Sequence, residues 1–327
     1  MGMFLFPGII SIAALAGAFL WGGFPAFLLV TLLAILEVTL SFDNAVVNAR
    51  VLKNMDALWQ RRFLTWGIPV AVFGTRFILP ILIVSAAAGL SPLFVLNLAF
   101  TDPAGYGARL SDAHVAIAAF GSAFLFLVSL KYFFNERKTV HWITSVEKYF
   151  TKWGGIEAIE IAMVLTILLV SGFLLPLEAA TILTAGLIGV ILFILMEGVA
   201  QSFEIESGET SAYAGLALFA YLNVLDSAFS LDGVVGAFAV TTSLPVIIAG
   251  LGIGALFVRT FTISLVRAHA LESLPYLEHG AHYAILGLAL AMLLGIFVHV
   301  PEAATGLIGL VFIVLAYISS RREAKRR

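Results

Sequence analysis

Apolar residues in this chain neither alternate nor keep to one helical stripe. They run almost unbroken for 18 or more residues at a time, separated by short polar segments. A stretch of that length crosses roughly 30 Å of hydrocarbon as a helix. The pattern predicts ten hydrophobic helices, at approximately 4–22, 26–49, 64–89, 112–134, 156–174, 178–199, 212–236, 245–268, 281–298 and 302–320. Strands of a transmembrane barrel would alternate over about ten residues, whereas these segments are continuously Leu-, Ala-, Ile-, Phe- and Gly-rich. The expected fold class is an all-α polytopic membrane protein, with the lipid bilayer as its first partner. Helix 1 lacks the positively charged start of a secretory signal, so it is expected to be a retained span.

Composition agrees. Of 327 residues, 61% are hydrophobic and only 12% are charged, against about 25% charged in a soluble domain, and the mean hydropathy is +1.06. This excludes a soluble globular protein. A formal net charge of −2 gives no reason to expect a nucleic-acid partner. Cysteine is absent, so any metal ligand must be oxygen or imidazole.

The basic residues are unevenly placed. Arg50, Lys53, Arg61 and Arg62 follow helix 2; Lys131, Arg137, Lys138, Lys148 and Lys152 lie between helices 4 and 5; Arg267 follows helix 8; Arg321, Arg322, Lys325, Arg326 and Arg327 form the tail. A ten-helix count puts these fifteen of the eighteen basic residues on one side. The positive-inside rule then predicts both termini in the cytoplasm, in the bacterial inner membrane. The acidic loop Glu204, Glu206 and Glu209 carries little weight in that rule. Arg109 falls in the longest outer loop, and Arg76 and Arg259 lie inside spans.

An internal repeat carries the unusual residues. Helix 2 reads Glu37-Val-Thr-Leu-Ser41-Phe-Asp43-Asn44-Ala-Val46, and helix 7 reads Asp226-Ser-Ala-Phe-Ser230-Leu-Asp232-Gly233-Val-Val235. At one constant offset two carboxylates, a serine and a valine align, and nine residues after Gly67 and Gly250 come Arg76 and Arg259. Five helix steps separate helix 2 from helix 7, so the copies run in opposite directions, which predicts an inverted-topology repeat with a site near the midplane. Two third elements compete: His114 matched with His282, or the hairpin of helices 5 and 6, with Glu157, matched with that of helices 9 and 10. The expected organisation is an added helix at 1–25, a first repeat at 26–134, a loop with helices 5 and 6 at 135–211, a second repeat at 212–298, and a last helix with a basic tail at 299–327.

Ionised groups at the bilayer centre cost several kcal/mol each unless paired, hydrated or metal-bound. Four carboxylates against two arginines leave a formal −2, which one divalent cation balances, as does protonation. On an unbroken helix Glu37 and Asp43 lie about 120° and about 9 Å apart, too far to chelate one ion. The inverted copy then gives two acidic levels, Glu37 with Asp232 and Asp43 with Asp226. Alternatively the helices break near Asn44 and Gly233 and merge the levels, freeing backbone carbonyls. Such oxygen donors suit magnesium, calcium or manganese. Glu37, Asp43, Asn44, Asp226 and Asp232 are the candidate metal-binding residues, supported or gated by Ser41, Ser230, Arg76, Arg259, Asn223 and His282. No phosphate-binding loop, nucleophile elbow or paired-His zinc helix is present, so no enzyme activity and no prosthetic group is expected.

The run of an acid, then Leu-Ser-x-Asp-Asn, then a helix with an internal Arg, and the second Asp-Ser-x-x-Ser-x-Asp copy together resemble the signature segments of the TerC family of membrane proteins. The resemblance covers helices 2 to 9. It implies that Glu37, Asp43, Asn44, Asp226 and Asp232 line a metal site and that the cargo is manganese, moved outward, in a family also linked by name to tellurium resistance. Gly233 in place of a second Asn, and ten helices where about seven are usual, depart from that pattern. The expected function is a secondary transporter of a divalent cation. Its rivals are a scaffold in a metal or tellurite stress-resistance complex, alone or with partner proteins or as a homo-oligomer, and an exporter of small organic solutes whose carboxylates Arg76 and Arg259 bind.

Overall fold

The computed structural model describes residues 4–136, 138–205 and 212–324. Arg137, Glu206, Glu209, Lys325, Arg326 and Arg327 lie outside the described residues, as does the side chain of Glu204. Helices follow one another throughout, with no strand among the described residues: α1 (Leu5–Leu40), α2 (Phe42–Leu52), α3 (Ala57–Thr65), α4 (Gly67–Pro69), a π-helical stretch (Val70–Ile78), α5 (Leu79–Ala88), α6 (Pro92–Thr101), α7 (Pro103–Asp112), α8 (His114–Phe133), α9 (Thr144–Trp153), α10 (Ile159–Leu174), α11 (Ala179–Ile205), α12 (Ala212–Val240), α13 (Leu244–Arg267), α14 (Ala270–Ser273), α15 (Leu277–Gly295) and α16 (Glu302–Ala324). Eight helices among the described residues are long and apolar enough to cross a bilayer, and α10 is a shorter apolar helix of 16 residues. The chain is a polytopic helical membrane protein.

α1 is not one rod. Its 36 residues would extend about 54 Å if straight, yet the rings of Phe4 and Phe42 both pack on Phe261, at 5.5 and 5.3 Å. The chain therefore folds back on itself. The reversal falls at Gly23, whose φ of 66° and ψ of −160° lie in a region that only glycine occupies without strain. Sequence patterning had placed the boundary here, between helices ending at 22 and starting at 26.

Local chemistry sets the other interruptions. Asp56 accepts the Trp59 N–H to start α3, while Ser91 and Asp102 accept the N–H groups of Phe94 and Gly105 ahead of the prolines that open α6 and α7. Those two short helices occupy the long loop between α5 and α8, where the hydrophobic pattern predicts no spanning helix. Gly89, at φ 64°, closes α5 in the left-handed conformation.

The apolar core divides into two large clusters. One gathers α8, α10, α11 and α15; the other gathers α1, α5, α6, α7 and α13. α12 belongs to both, with Leu225, Ala228 and Phe229 in the first and Leu231, Val234 and Ala237 in the second. Its acids Asp226 and Asp232 thus stand where the two clusters meet.

The basic loops converge on one end. Arg50 pairs with Glu278, Lys53 reaches Glu272 at 3.5 Å, and the Tyr276 N–H donates to Ser320 Oγ at 2.9 Å, joining the ends of α2, α14, α15 and α16. Beside them a latch holds α9 in place. Glu147, with no exposed surface, meets Lys138 Nζ at 2.8 Å and His279 Nε2 at 3.4 Å, and accepts the N–H groups of Trp142 and Ile143. Burial pushes its carboxyl pKa up, but the Lys138 ammonium and the backbone donors outweigh burial and hold it below the ordinary 4.5.

Two outcomes are expected. Gly23→Ala forces a Cβ into the glycine-only region and lowers stability by about 1–3 kcal/mol, measured as a shift in thermal unfolding in detergent. For the latch, a folded-state pKa below the unfolded value gives stability that is complete above about pH 4.5 and is lost as the pH falls through the depressed value. Wild type should therefore exceed Glu147→Gln in melting temperature at neutral pH, with the gap narrowing on acidification below about pH 4.5.

Candidate functional site

The site is assembled by α1, α2, the π-helical stretch, α12 and α13. Helix 2 of the sequence reading breaks between its two acids: Ser41 (φ −103°, ψ 14°) ends α1, and α2 begins at Phe42. The break is a one-residue bend, because Ser41 N–H still donates to Glu37 O and Ala45 N–H to Ser41 O. It puts Asp43 in the first turn of α2, where its carboxylate accepts the Asn44 N–H at 2.8 Å and faces the positive end of the helix dipole. α12 runs through Gly233 without interruption. Only one of the two breaks considered from the sequence is present.

Both intramembrane arginines are engaged. Arg76 Nη2 pairs with Glu37 Oε1, while Nη1 donates to Ala71 O at 2.9 Å and stands 3.8 Å from Asp226 Oδ2. Arg259 Nη2 lies 3.7 Å from that same oxygen and donates to Asn223 Oδ1 at 3.4 Å. Its Nη1 donates to Phe63 O, and its guanidinium covers the Phe63 ring. Asn44 Nδ2 donates to Asp226 Oδ1 at 2.7 Å, tying the first copy directly to the second. Gly67 gives Arg259 its room, since a Cβ there would meet Nη1 at 2.3 Å. Nine residues of π-helix carry Arg76 into this network. Such segments are rare in helices and recur at functional positions.

The other two acids are left over. Among the described residues no guanidinium or ammonium lies within ion-pair distance of Asp43 or Asp232. Both line a narrow cavity of about 10 Å³, at the lower limit of room for a single water. Glu37, Ser41 and Thr305 supply its remaining polar wall, Gly233 and Gly309 its small-residue wall, and Phe229, Ala284 and Leu288 its apolar side. A Cβ at Gly254 would meet Glu37 Cγ at 2.2 Å, so that glycine gives the Glu37 side chain its room, while a Cβ at Gly233 would come 3.0 Å from Glu37 Oε2. The formal −2 inferred from sequence is therefore localised: Glu37 and Asp226 are matched by the arginines, and Asp43 and Asp232 are not.

The remaining candidates divide. Ser41 Oγ donates to Glu37 Oε1 at 3.3 Å, and Ser230 is buried with its Oγ unbonded. Asn223 backs Arg259. His282 is not brought to the cavity; it stacks on Tyr132 at 3.7 Å, with its Nδ1 against Glu278 O. His114, its proposed repeat mate, is not among the cavity's lining residues either. Thr305 escaped the sequence reading because α16 lies outside both copies. Among the described residues no three His, Cys, Asp or Glu side chains stand close enough together to hold a metal ion in the conformation seen.

Fold and site together define a multi-span helical membrane protein with a charged core buried between two halves of its chain. It belongs to the family described as protein of unknown function (DUF475), whose model matches residues 42–327. The match starts one residue past the Ser41 bend, so Asp43, Arg76, Asp226, Asp232 and Arg259 fall within it and Glu37 falls before it. No curated protein and no solved structure matches the chain.

Removing one partner of a buried pair strands the other. Arg76→Gln should cost about 3–5 kcal/mol in detergent unfolding, and adding Glu37→Gln to it should recover much of that loss.

Proposed function

We propose that this protein is a secondary transporter of a divalent metal cation, with manganese efflux as the leading case. The observation that carries the reading is the pair of carboxylates without cationic partners, Asp43 and Asp232, on one narrow cavity with Glu37. Two ionised groups in a low-dielectric interior are costly, and a divalent cation is one species that cancels both charges. Hard oxygen donors of this kind, with Ser41 and Thr305 beside them, favour magnesium, calcium or manganese over softer metals. The acids stand apart in the conformation seen, so binding draws Glu37, Asp43 and Asp232 inward, and the bend at Ser41 is where the chain allows it. Protonation of these acids offers a means of coupling to a proton gradient.

Several features support an inverted repeat of ten spans. The reversal at Gly23 divides α1 into two crossings, and α10, at 16 residues, is read as another. In each copy the first acid pairs with the arginine of the following helix, Glu37 with Arg76 and Asp226 with Arg259. The shared end of the basic loops supports cytoplasmic termini. Manganese as cargo rests on the resemblance to the TerC family.

A second reading takes the charges as a scaffold that only holds helices together, with function through stress-resistance partners; it is favoured by the pairing of Arg76 and Arg259 with Glu37 and Asp226 and by the wide spacing of the acids. That engagement also weighs against solute carboxylates as the ligands of these arginines. Proteoliposomes enclosing a manganese-sensitive dye separate the readings. Transport is expected in wild type and a loss of about tenfold or more in Asp43→Asn and Asp232→Asn, each folded by its melting temperature. Absence of manganese, magnesium and calcium flux in wild type would leave the scaffold standing.

A further inference from the structure

α9 meets three different surroundings on three faces. At about 100° per residue, Glu147, Phe150, Thr151 and Gly154 occupy one arc of roughly 100°, and this arc faces the protein through the Glu147 latch and the packing of Phe150 on Phe133 and Phe134. Thr144, Ser145, Lys148 and Lys152 fill a second, exposed polar arc. Val146, Tyr149 and Trp153 form the third, within about 60°, and they are 41%, 72% and 54% exposed. An aqueous loop helix has no reason to present a Tyr–Trp stripe to water. α9 joins the end of α8 to the start of α10, at the end of the molecule that carries Arg50, Lys53 and Lys131.

We propose that α9 is a membrane-surface helix that binds anionic lipid. The protein wall takes the Glu147 arc, the boundary of the acyl region takes Tyr149, Trp153 and Val146, and lipid phosphates take Lys148 and Lys152. Three media meet at the foot of a transmembrane helix, and the three arcs match them in composition and order. Aromatic rings with an apolar body and a polar edge settle at headgroup depth, and lysines beside an apolar stripe bind negative surfaces. The latch fixes the roll of the helix: Glu147 is held by Lys138 and His279, so the stripe cannot turn inward. Lipid contact at α9 is thereby joined to the end of α8 and the start of α15. This inference is independent of the cargo.

The chain has no native cysteine, so a nitroxide on Tyr149→Cys is a unique reporter, with Thr144→Cys as the polar-face control. Full-length protein is reconstituted in vesicles of phosphatidylcholine alone or with phosphatidylglycerol. The label at 149 is expected to be more accessible to oxygen than to a water-soluble nickel chelate, and to sit deeper when phosphatidylglycerol is present; the label at 144 is expected to show the reverse preference. Replacing both lysines, Lys148→Gln and Lys152→Gln, should abolish the difference between the two lipids while leaving the melting temperature unchanged. Greater nickel access at 149 in both vesicles, or a depth indifferent to lipid charge, overturns the proposal. So does strong spin–spin broadening at 149 that persists in both lipids, which would assign the stripe to a second copy of the chain.

Discussion

Everything in the centre of this molecule follows from the cost of placing charge where water is scarce. Glu37, Arg76, Asp226 and Arg259 are buried together, and each is tolerable only because another stands beside it. The order of pairing matters as much as the count. Asp226 Oδ2 sits between two guanidinium groups at 3.7 and 3.8 Å, so one carboxylate serves both arginines while Glu37 engages Arg76 alone. The packing of α12 between the two apolar clusters, the π-helical approach of Arg76 and the glycine at 67 all serve to bring these groups within reach of one another.

That constraint also separates the two kinds of acid. The matched pair builds a fixed electrostatic frame joining the two halves of the chain through Asn44 and Asp226. The unmatched pair, Asp43 and Asp232, lines a cavity too small for anything beyond a water or a bare ion. A frame that holds and a cavity that is electrostatically incomplete are the two requirements of a site that takes up and releases a cation. The proposed transport reading joins them; the scaffold reading uses only the first.

The second polar cluster stands apart from this core. Glu147, Lys138, His279 and Tyr132 form a buried set at the basic end, with Tyr132 OH 2.9 Å from His279 Nδ1. His282, which sequence symmetry had drawn toward the acids, belongs by contact to this set through its stacking on Tyr132. Its burial reflects the packing of the first turns of α15 against α8.

Several features were legible in the sequence because they depend on short-range chemistry. Continuous apolar runs fixed the helical membrane class, since no other structure satisfies its backbone in lipid over 18 residues. The repeated acids and arginines were visible by their scarcity, and the hydrophobic pattern placed a helix boundary between 22 and 26, where α1 reverses and brings Phe4 and Phe42 to the same ring. Tertiary structure alone decided the rest. Which carboxylate each guanidinium takes depends on distances across helices far apart in the chain, as with Asn44 and Asp226. His282 is drawn away to Tyr132 by the packing of α15 on α8, and Thr305 reaches the cavity from a helix outside the repeat. Of the two breaks the sequence offered, near Asn44 and near Gly233, only the first is present, as the bend at Ser41, because the choice depends on the neighbours each helix meets and not on its own residues.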